Sequence, residues 1–187
     1  TGKAEYKDSF TKSQDNAPFP TRIGGGFASF NWQDTAGAGK ISLATVPNQL
    51  SAGEVAKIRE EIAKAADLYL EFVKQQGYRL PLKDENGTFP WGSNSFVLNN
   101  LQVLALAYDF TKKREYLDGV ETGIGYLLGR NPIGQSYVTG YGVKPLHNPH
   151  HRFWAHQANA KFPSAPAGAL SGGPNSSIDD PYAKAAG

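Results

Sequence analysis

The 187-residue sequence contains no cysteine. That absence rules out a disulfide framework and a thiolate metal site, and it leaves the redox compartment unmarked. Excess charge of either sign is missing too: 19 Lys and Arg stand against 17 Asp and Glu, a formal net charge of +2. With no basic block to neutralise a run of phosphates, nucleic acid is excluded as a partner. No run of about 18 apolar residues occurs, which excludes a membrane-spanning helix, and the chain reads as soluble. The opening Thr1-Gly2-Lys3-Ala4 has neither an initiator Met nor an apolar signal region, as expected if upstream sequence lies outside this chain. What remains is enough residues for one domain or a piece of one. Aromatics reach 12%, with three Trp, nine Tyr and ten Phe, a content that suits carbohydrate recognition and a packed core equally.

The helical signals sit in the middle of the chain. Ser51-Ala52-Gly53-Glu54 has the pattern of a capping box, and Val55, Ile58, Ile62, Ala65, Ala66, Tyr69 and Phe72 follow at spacings of three and four. They predict an amphipathic helix ending near Gly77, with Lys57, Glu60, Glu61, Lys64, Glu71 and Lys74 turned to water. From Ser93 to Phe110 apolar residues surround the axis, as in an inner, buried helix. A third helix is expected from about Lys113 to Leu128, carrying Tyr116, Leu117, Val120, Ile124 and Leu127 and stopping at Gly129-Arg130-Asn131-Pro132. An outer amphipathic helix followed by a buried one is the pattern of helices stacked in two concentric layers, either an α/α toroid or a helical repeat array. Three or four helices cannot close such a ring, so further segments are expected to cover the buried helix. Residues 1–26 and 132–187 show no sustained helical period, and a long irregular stretch such as the second is functional loop or an incomplete fold.

One segment concentrates chemistry. Residues 136–152, Ser-Tyr-Val-Thr-Gly-Tyr-Gly-Val-Lys-Pro-Leu-His-Asn-Pro-His-His-Arg, hold three His, one Arg and two Tyr. By itself His150-His151-Arg152 reads as surface loop histidines beside a solvated Arg. Metal binding is disfavoured, because adjacent His side chains diverge and no carboxylate or third His stands at ligand spacing on a helix. Taken whole, the segment resembles the first active-site signature of the family 9 glycoside hydrolases, with Ser136, Val138, Thr139, Gly142, Lys144, Pro149, His150 and Arg152 on pattern. Gly129-Arg130-Asn131-Pro132 resembles the helix end that leads into that loop. Trp91-Gly92-Ser93-Asn94-Ser95 and Phe30-Asn31-Trp32-Gln33-Asp34 resemble two further stretches of the family. Gly172-Gly173-Pro174-Asn175 with Asp179-Asp180-Pro181-Tyr182 resembles the run found in the subgroup that carries an immunoglobulin-like module ahead of the catalytic one.

The resemblance implies an all-α fold, part of an (α/α)6 barrel with long cleft-forming loops. Residues 1–187 would then be a C-terminal portion of one catalytic domain, with barrel helices over about 51–128 and an active-site loop region over about 132–187. It also implies hydrolysis of β-1,4-glucosidic bonds in cellulose or related β-glucans with inversion, by a secreted, extracellular cellulase. Inversion needs a general base and a general acid, two carboxyls roughly 6.5 to 9.5 Å apart. The family draws the base from an Asp pair in an Asp-x-x-Asp-type motif, absent here, and the acid from a Glu beyond the Gly-Gly-Pro-Asn run, whereas no Glu follows Glu121. Asp179 and Asp180 align with a loop before the acid. The residues expected at the active site are therefore substrate contacts: His150 and Arg152 as donors to sugar hydroxyls, Trp91 and Trp32 as stacking faces with core packing as their alternative, and Tyr141 as a lining residue of the same cleft. His147 and His151 are expected to support the loop. No cofactor is required, a structural calcium at Asp34 is conceivable on one carboxylate, and no other metal site is expected. The implied partners are a β-glucan or cellooligosaccharide and the remaining segments of the same module. Two other readings stay open: a non-catalytic glucan-binding module, and a structural helical-repeat protein.

Overall fold

A computed structural model describes residues 3–13, 19, 30–32, 34–83, 88–178 and 181–186. Six helices follow one another among them: α1 (Ala4–Lys12), α2 (Ala36–Thr45), α3 (Ala52–Gln75), α4 (Ser93–Thr111), α5 (Arg114–Leu127) and α6 (Pro181–Ala186). No strand longer than a single bridge occurs among the described residues.

The three expected helices form within two residues of their predicted ends. The α3 start is a complete capping box, with Ser51 Oγ accepting from the Glu54 N–H at 3.3 Å and the Glu54 carboxylate accepting from the Ser51 N–H at 2.7 Å. Ile58, Ile62, Ala65, Ala66, Tyr69 and Phe72 are buried, while Lys57, Glu60, Lys64, Glu71 and Lys74 are exposed. Glu61 departs from its expected place in water. It is half-buried and takes the buried Lys40 of α2 at 3.0 Å. That pair fastens α2 across α3, assisted by Arg59, whose guanidinium donates twice to the Ala44 carbonyl (3.1 and 2.9 Å) and lies over the Phe110 ring of α4.

Two helices lie ahead of the stretch expected to hold the barrel helices. Residues 1–26 were expected to lack a helix, yet α1 forms there; it buries no residue, so hydrophobic periodicity has nothing to report. In α2 the buried face is made of Gly37, Lys40 and Ala44. Gly37 is needed because a β-carbon there would lie 2.7 Å from Phe30 Cβ.

As expected, α4 is the inner helix: Val97, Leu101, Val103, Leu104 and Ala107 are all but fully buried. One stripe, Ser95, Leu98, Gln102 and Asp109, is exposed. A turn at Lys112, in the left-handed region (φ 60°), folds α5 back along α4. The buried face of α5 keeps Tyr116 and Leu127 of the expected set but not Ile124, which is 37% exposed; Gly119, Gly123 and Tyr126 complete it. A β-carbon on Gly123 would sit 2.5 Å from Leu101 Cδ2, so the buried Leu101 side chain would have to shift to admit a larger residue. The loop region is irregular as far as Ile178; α6, six residues long, is the one helix beyond it.

Candidate substrate-binding site

The segment 136–152 begins where α5 ends. Gly129, at φ 128°, closes that helix in a Schellman motif: the Arg130 N–H donates to the Gly125 carbonyl (2.8 Å) and the Gly129 N–H to that of Tyr126 (3.2 Å). Asn131 then locks the exit, its amide donating to the carbonyls of Tyr126 and Gln135 while its Oδ1 accepts from the Ile133 N–H. Sequence alone marks this stop, and the geometry explains why Gly and Asn are needed at it.

Much of the motif builds the loop. Ser136 is buried and its Oγ accepts from the Val138 N–H, while its own N–H donates to the Lys144 carbonyl. Tyr137 packs its ring on Tyr126 at 5.6 Å. Burial, with Tyr137 second, pushes the Tyr126 phenol above its ordinary range, which marks a core group and not an acid or base at work near neutrality. Thr139 is buried and joins two chains: its Oγ1 donates to the Pro166 carbonyl and accepts from the Ala169 N–H, and its backbone exchanges bonds with Ala169 and Gly168. Val138 bridges Leu170 antiparallel and Thr139 bridges Leu146 in parallel. Gly142, at φ 86°, could not carry a β-carbon, which would fall 2.8 Å from the Leu128 carbonyl oxygen. Ser136, Val138, Thr139 and Gly142 therefore match the motif for structural reasons.

From Leu170 the chain runs as a strap to the N-terminus of α4. There the Asn94 N–H donates to the Gly172 carbonyl and the Asn94 amide to that of Ser171, both at 3.1 Å, and Ser93 Oγ donates to Pro174. Asn94 is fully buried, and a β-carbon on Gly173 would lie 2.4 Å from its side-chain carbon, so strap and helix end interlock. Trp91 stands on the turn that this strap crosses and is 69% exposed. Tyr141, 57% exposed, has its ring beside Gly168 at the other end of the strap. Trp32 is 80% exposed although its neighbour Phe30 is buried. Its turn is tied to α4 by Asn99, whose amide donates to the Phe30 carbonyl at 2.8 Å. Asn94 and Asn99 lie about 7.5 Å apart along the helix axis. The N-terminal half of α4 is thus the shared support for the Trp32 turn, the Trp91 turn and the strap to the Tyr141 loop. Neither tryptophan packs in the core formed by the described residues.

His150 and Arg152 are exposed, and neither makes a hydrogen bond or ion pair within the described residues. Their flanks are fixed. Pro149 is buried, and His151 between them turns its Nδ1 inward to accept from the Phe153 N–H (3.1 Å) and the Trp154 N–H (3.0 Å), its ring stacked on Trp154 at 4.2 Å. The geometry thereby makes His151 a loop support in its Nε2–H form. His147 is exposed with no such bond.

Asp34 turns Oδ1 to the Ala36 N–H, at the start of α2. Among the described residues no group of three His, Asp or Glu side chains could hold a metal. Asp179 and Asp180 lie outside the described residues.

Residues 1–185 match glycosyl hydrolase family 9. The chain is 50% identical, over its whole length, to a cellulose 1,4-beta-cellobiosidase of Acetivibrio thermocellus, of which it spans 22%. It is 38% identical over 96% of its length to endoglucanase C of Cellulomonas fimi, spanning 16% of that protein. Among solved structures it is similar to a metagenome-derived glycoside hydrolase family 9 endoglucanase, with 30% identity, a TM-score of 0.76, and coverage of 96% of this chain and 30% of that one. It is also similar to AaCel9A in complex with cellobiose-like isofagomine, with 28% identity, a TM-score of 0.64, and coverage of 83% and 29%. The chain thus spans less than a third of the relatives it matches, and its helices are part of an (α/α)6 barrel. It belongs to glycosyl hydrolase family 9.

Proposed function

We propose that this chain is the part of a secreted cellulase catalytic module that grips β-1,4-glucan, while the acid and base carboxyls come from other segments of the same protein. The observation that carries the reading is the division of labour within residues 136–152. Ser136, Thr139 and His151 are engaged in building the loop, whereas His150 and Arg152 are exposed and uncommitted between fixed flanks. Because the flanking backbone is already fixed, only the two side chains are left to be ordered on binding, and their bonds to sugar hydroxyls favour the complex. Arg152 gives charge-assisted bonds and His150 one bond set by its tautomer. Trp91, Trp32 and Tyr141 offer exposed ring faces to the apolar C–H faces of glucose units.

In the intact protein the reaction is hydrolysis with inversion. A base carboxylate takes a proton from water as the oxygen attacks the anomeric carbon, and an acid carboxyl protonates the departing glycosidic oxygen. No cofactor is needed. His150 and Arg152 hold the sugar while charge builds on the ring, so their effect falls mainly on turnover. The test uses the intact enzyme with His150→Ala and Arg152→Ala. Turnover of cellopentaose should fall by roughly tenfold to a thousandfold at unchanged melting temperature. Unchanged turnover would remove both residues from the site. Without these segments restored, tight binding of cellopentaose by a stably folded 187-residue chain, in a protein whose intact form cleaves nothing, would favour the glucan-binding module.

A further inference from the structure

We infer that Phe153 is an additional ring platform for the glucan, placed by the His151 turn one residue beyond Arg152; the inference rests on the β-glucan reading above. Residues 151–162 fold on themselves. The His151 Nδ1 accepts from the N–H groups of Phe153 and Trp154, Asn159 and Ala158 donate back to the Ala155 carbonyl, the Phe162 N–H donates to Asn159, and His156 Nδ1 meets the Phe162 carbonyl at 2.9 Å. This lobe sorts its aromatic rings: Trp154 is half-buried under the His151 ring, and Phe153 is left 61% exposed.

A large apolar ring held outward at fixed backbone position, next to two uncommitted donors, is suited to a ligand that is polar at its rim and apolar on its faces. A pyranose is such a ligand. Neighbouring Cα atoms are about 3.8 Å apart and adjacent side chains diverge, so a ring on residue 153 falls on a sugar unit next to the one that Arg152 holds. Phe has no polar group, so it adds affinity through stacking area without a hydrogen bond to a particular hydroxyl. Phe153 therefore extends the cleft's grip along the glucan and sets a preference for longer chains.

The experiment measures KM and kcat of the intact enzyme on cellooligosaccharides from three to six glucose units, for the wild type, Phe153→Ala and Phe153→Trp. Loss of the ring should raise KM roughly three- to tenfold on the longer substrates, leave the shortest unchanged, leave the melting temperature unchanged, and be repaired by Trp. Equal loss at every length with a lower melting temperature overturns the inference, because Phe153 is then packing against the rest of the module. An active wild type indistinguishable from Phe153→Ala at all lengths overturns it alone. A wild type that neither binds nor cleaves any of these sugars overturns the functional reading and the inference with it.

Discussion

At the residue scale the loop separates side chains that make its shape from side chains that face outward, and His151 stands at the division. Its Nδ1 accepts from the N–H groups two and three residues on, the bonds that an Asn or Asp side chain makes in an Asx turn. His151→Asn should therefore keep the turn, and the intact enzyme should keep at least about half of its kcat/KM on cellopentaose, whereas His151→Ala frees two N–H groups and should lose about tenfold. Equal losses in the two variants would contradict the turn as the reason for His151. The sequence motif marked 136–152 as a unit, and the resemblance picked out His150 and Arg152 by position. It could not tell that Ser136 and Thr139 are buried, because their partners, Lys144, Pro166 and Ala169, come from elsewhere in an irregular loop with no period to read. Trp32 and Phe30 illustrate the same limit. Two residues apart, one is exposed and the other buried, and what decides it is Gly37, against which Phe30 wedges.

At the element scale, α3, α4 and α5 were legible because each carries an apolar face or core at helical spacing. α2 was not, because its contact face is a glycine, a lysine and an alanine. Its attachment to α3 rests on Lys40, 4% exposed, and Glu61, 18% exposed. Lys40→Ala should lower stability by roughly 2 to 4 kcal/mol, since it strands a half-buried carboxylate, and adding Glu61→Ala should cost less than the sum of the single changes; additive urea-denaturation free energies would refute the coupling. The α4–α5 contact predicts the opposite of a propensity rule. Ala is the better helix former by about 1 kcal/mol, yet Gly123→Ala should destabilise by roughly 1 to 3 kcal/mol because its methyl meets Leu101. A raised melting temperature in that variant would show that the helices can separate freely. The α3 cap is pH-dependent. The Ser51 hydroxyl and backbone, then Lys7, hold the Glu54 carboxyl below its ordinary value. A depressed folded value contributes stability above the unfolded pKa, and that contribution disappears as pH falls through the folded one, below the ordinary carboxylate range. Glu54→Gln should flatten this part of the stability–pH curve, and an unaltered curve would dissociate the cap from acid sensitivity.

At the scale of the whole molecule, the exposed stripe on α4 and the span of the relatives describe the same arrangement. Within that stripe the apolar Leu98 is 42% exposed, as on an inner barrel helix whose neighbours in the ring are other segments. The buried helix and its amphipathic partner were enough to predict two layers, but the ring itself was not visible, because closure depends on segments that these residues do not include. The Trp32 turn, the Trp91 turn and the strap to the Tyr141 loop share the N-terminal half of α4, and the chain carries no Asp-x-x-Asp motif and no Glu beyond Glu121. The proposed function divides binding residues and catalytic carboxyls between this chain and the rest of its module. Reducing-sugar release from carboxymethylcellulose and cellopentaose, measured for the purified chain with its mass verified and for the intact enzyme in parallel, tests that division directly. Release by the intact enzyme and none by the 187-residue chain is expected. Release by the chain alone would mean that a carboxyl within it performs the acid and base chemistry, and would contradict the division.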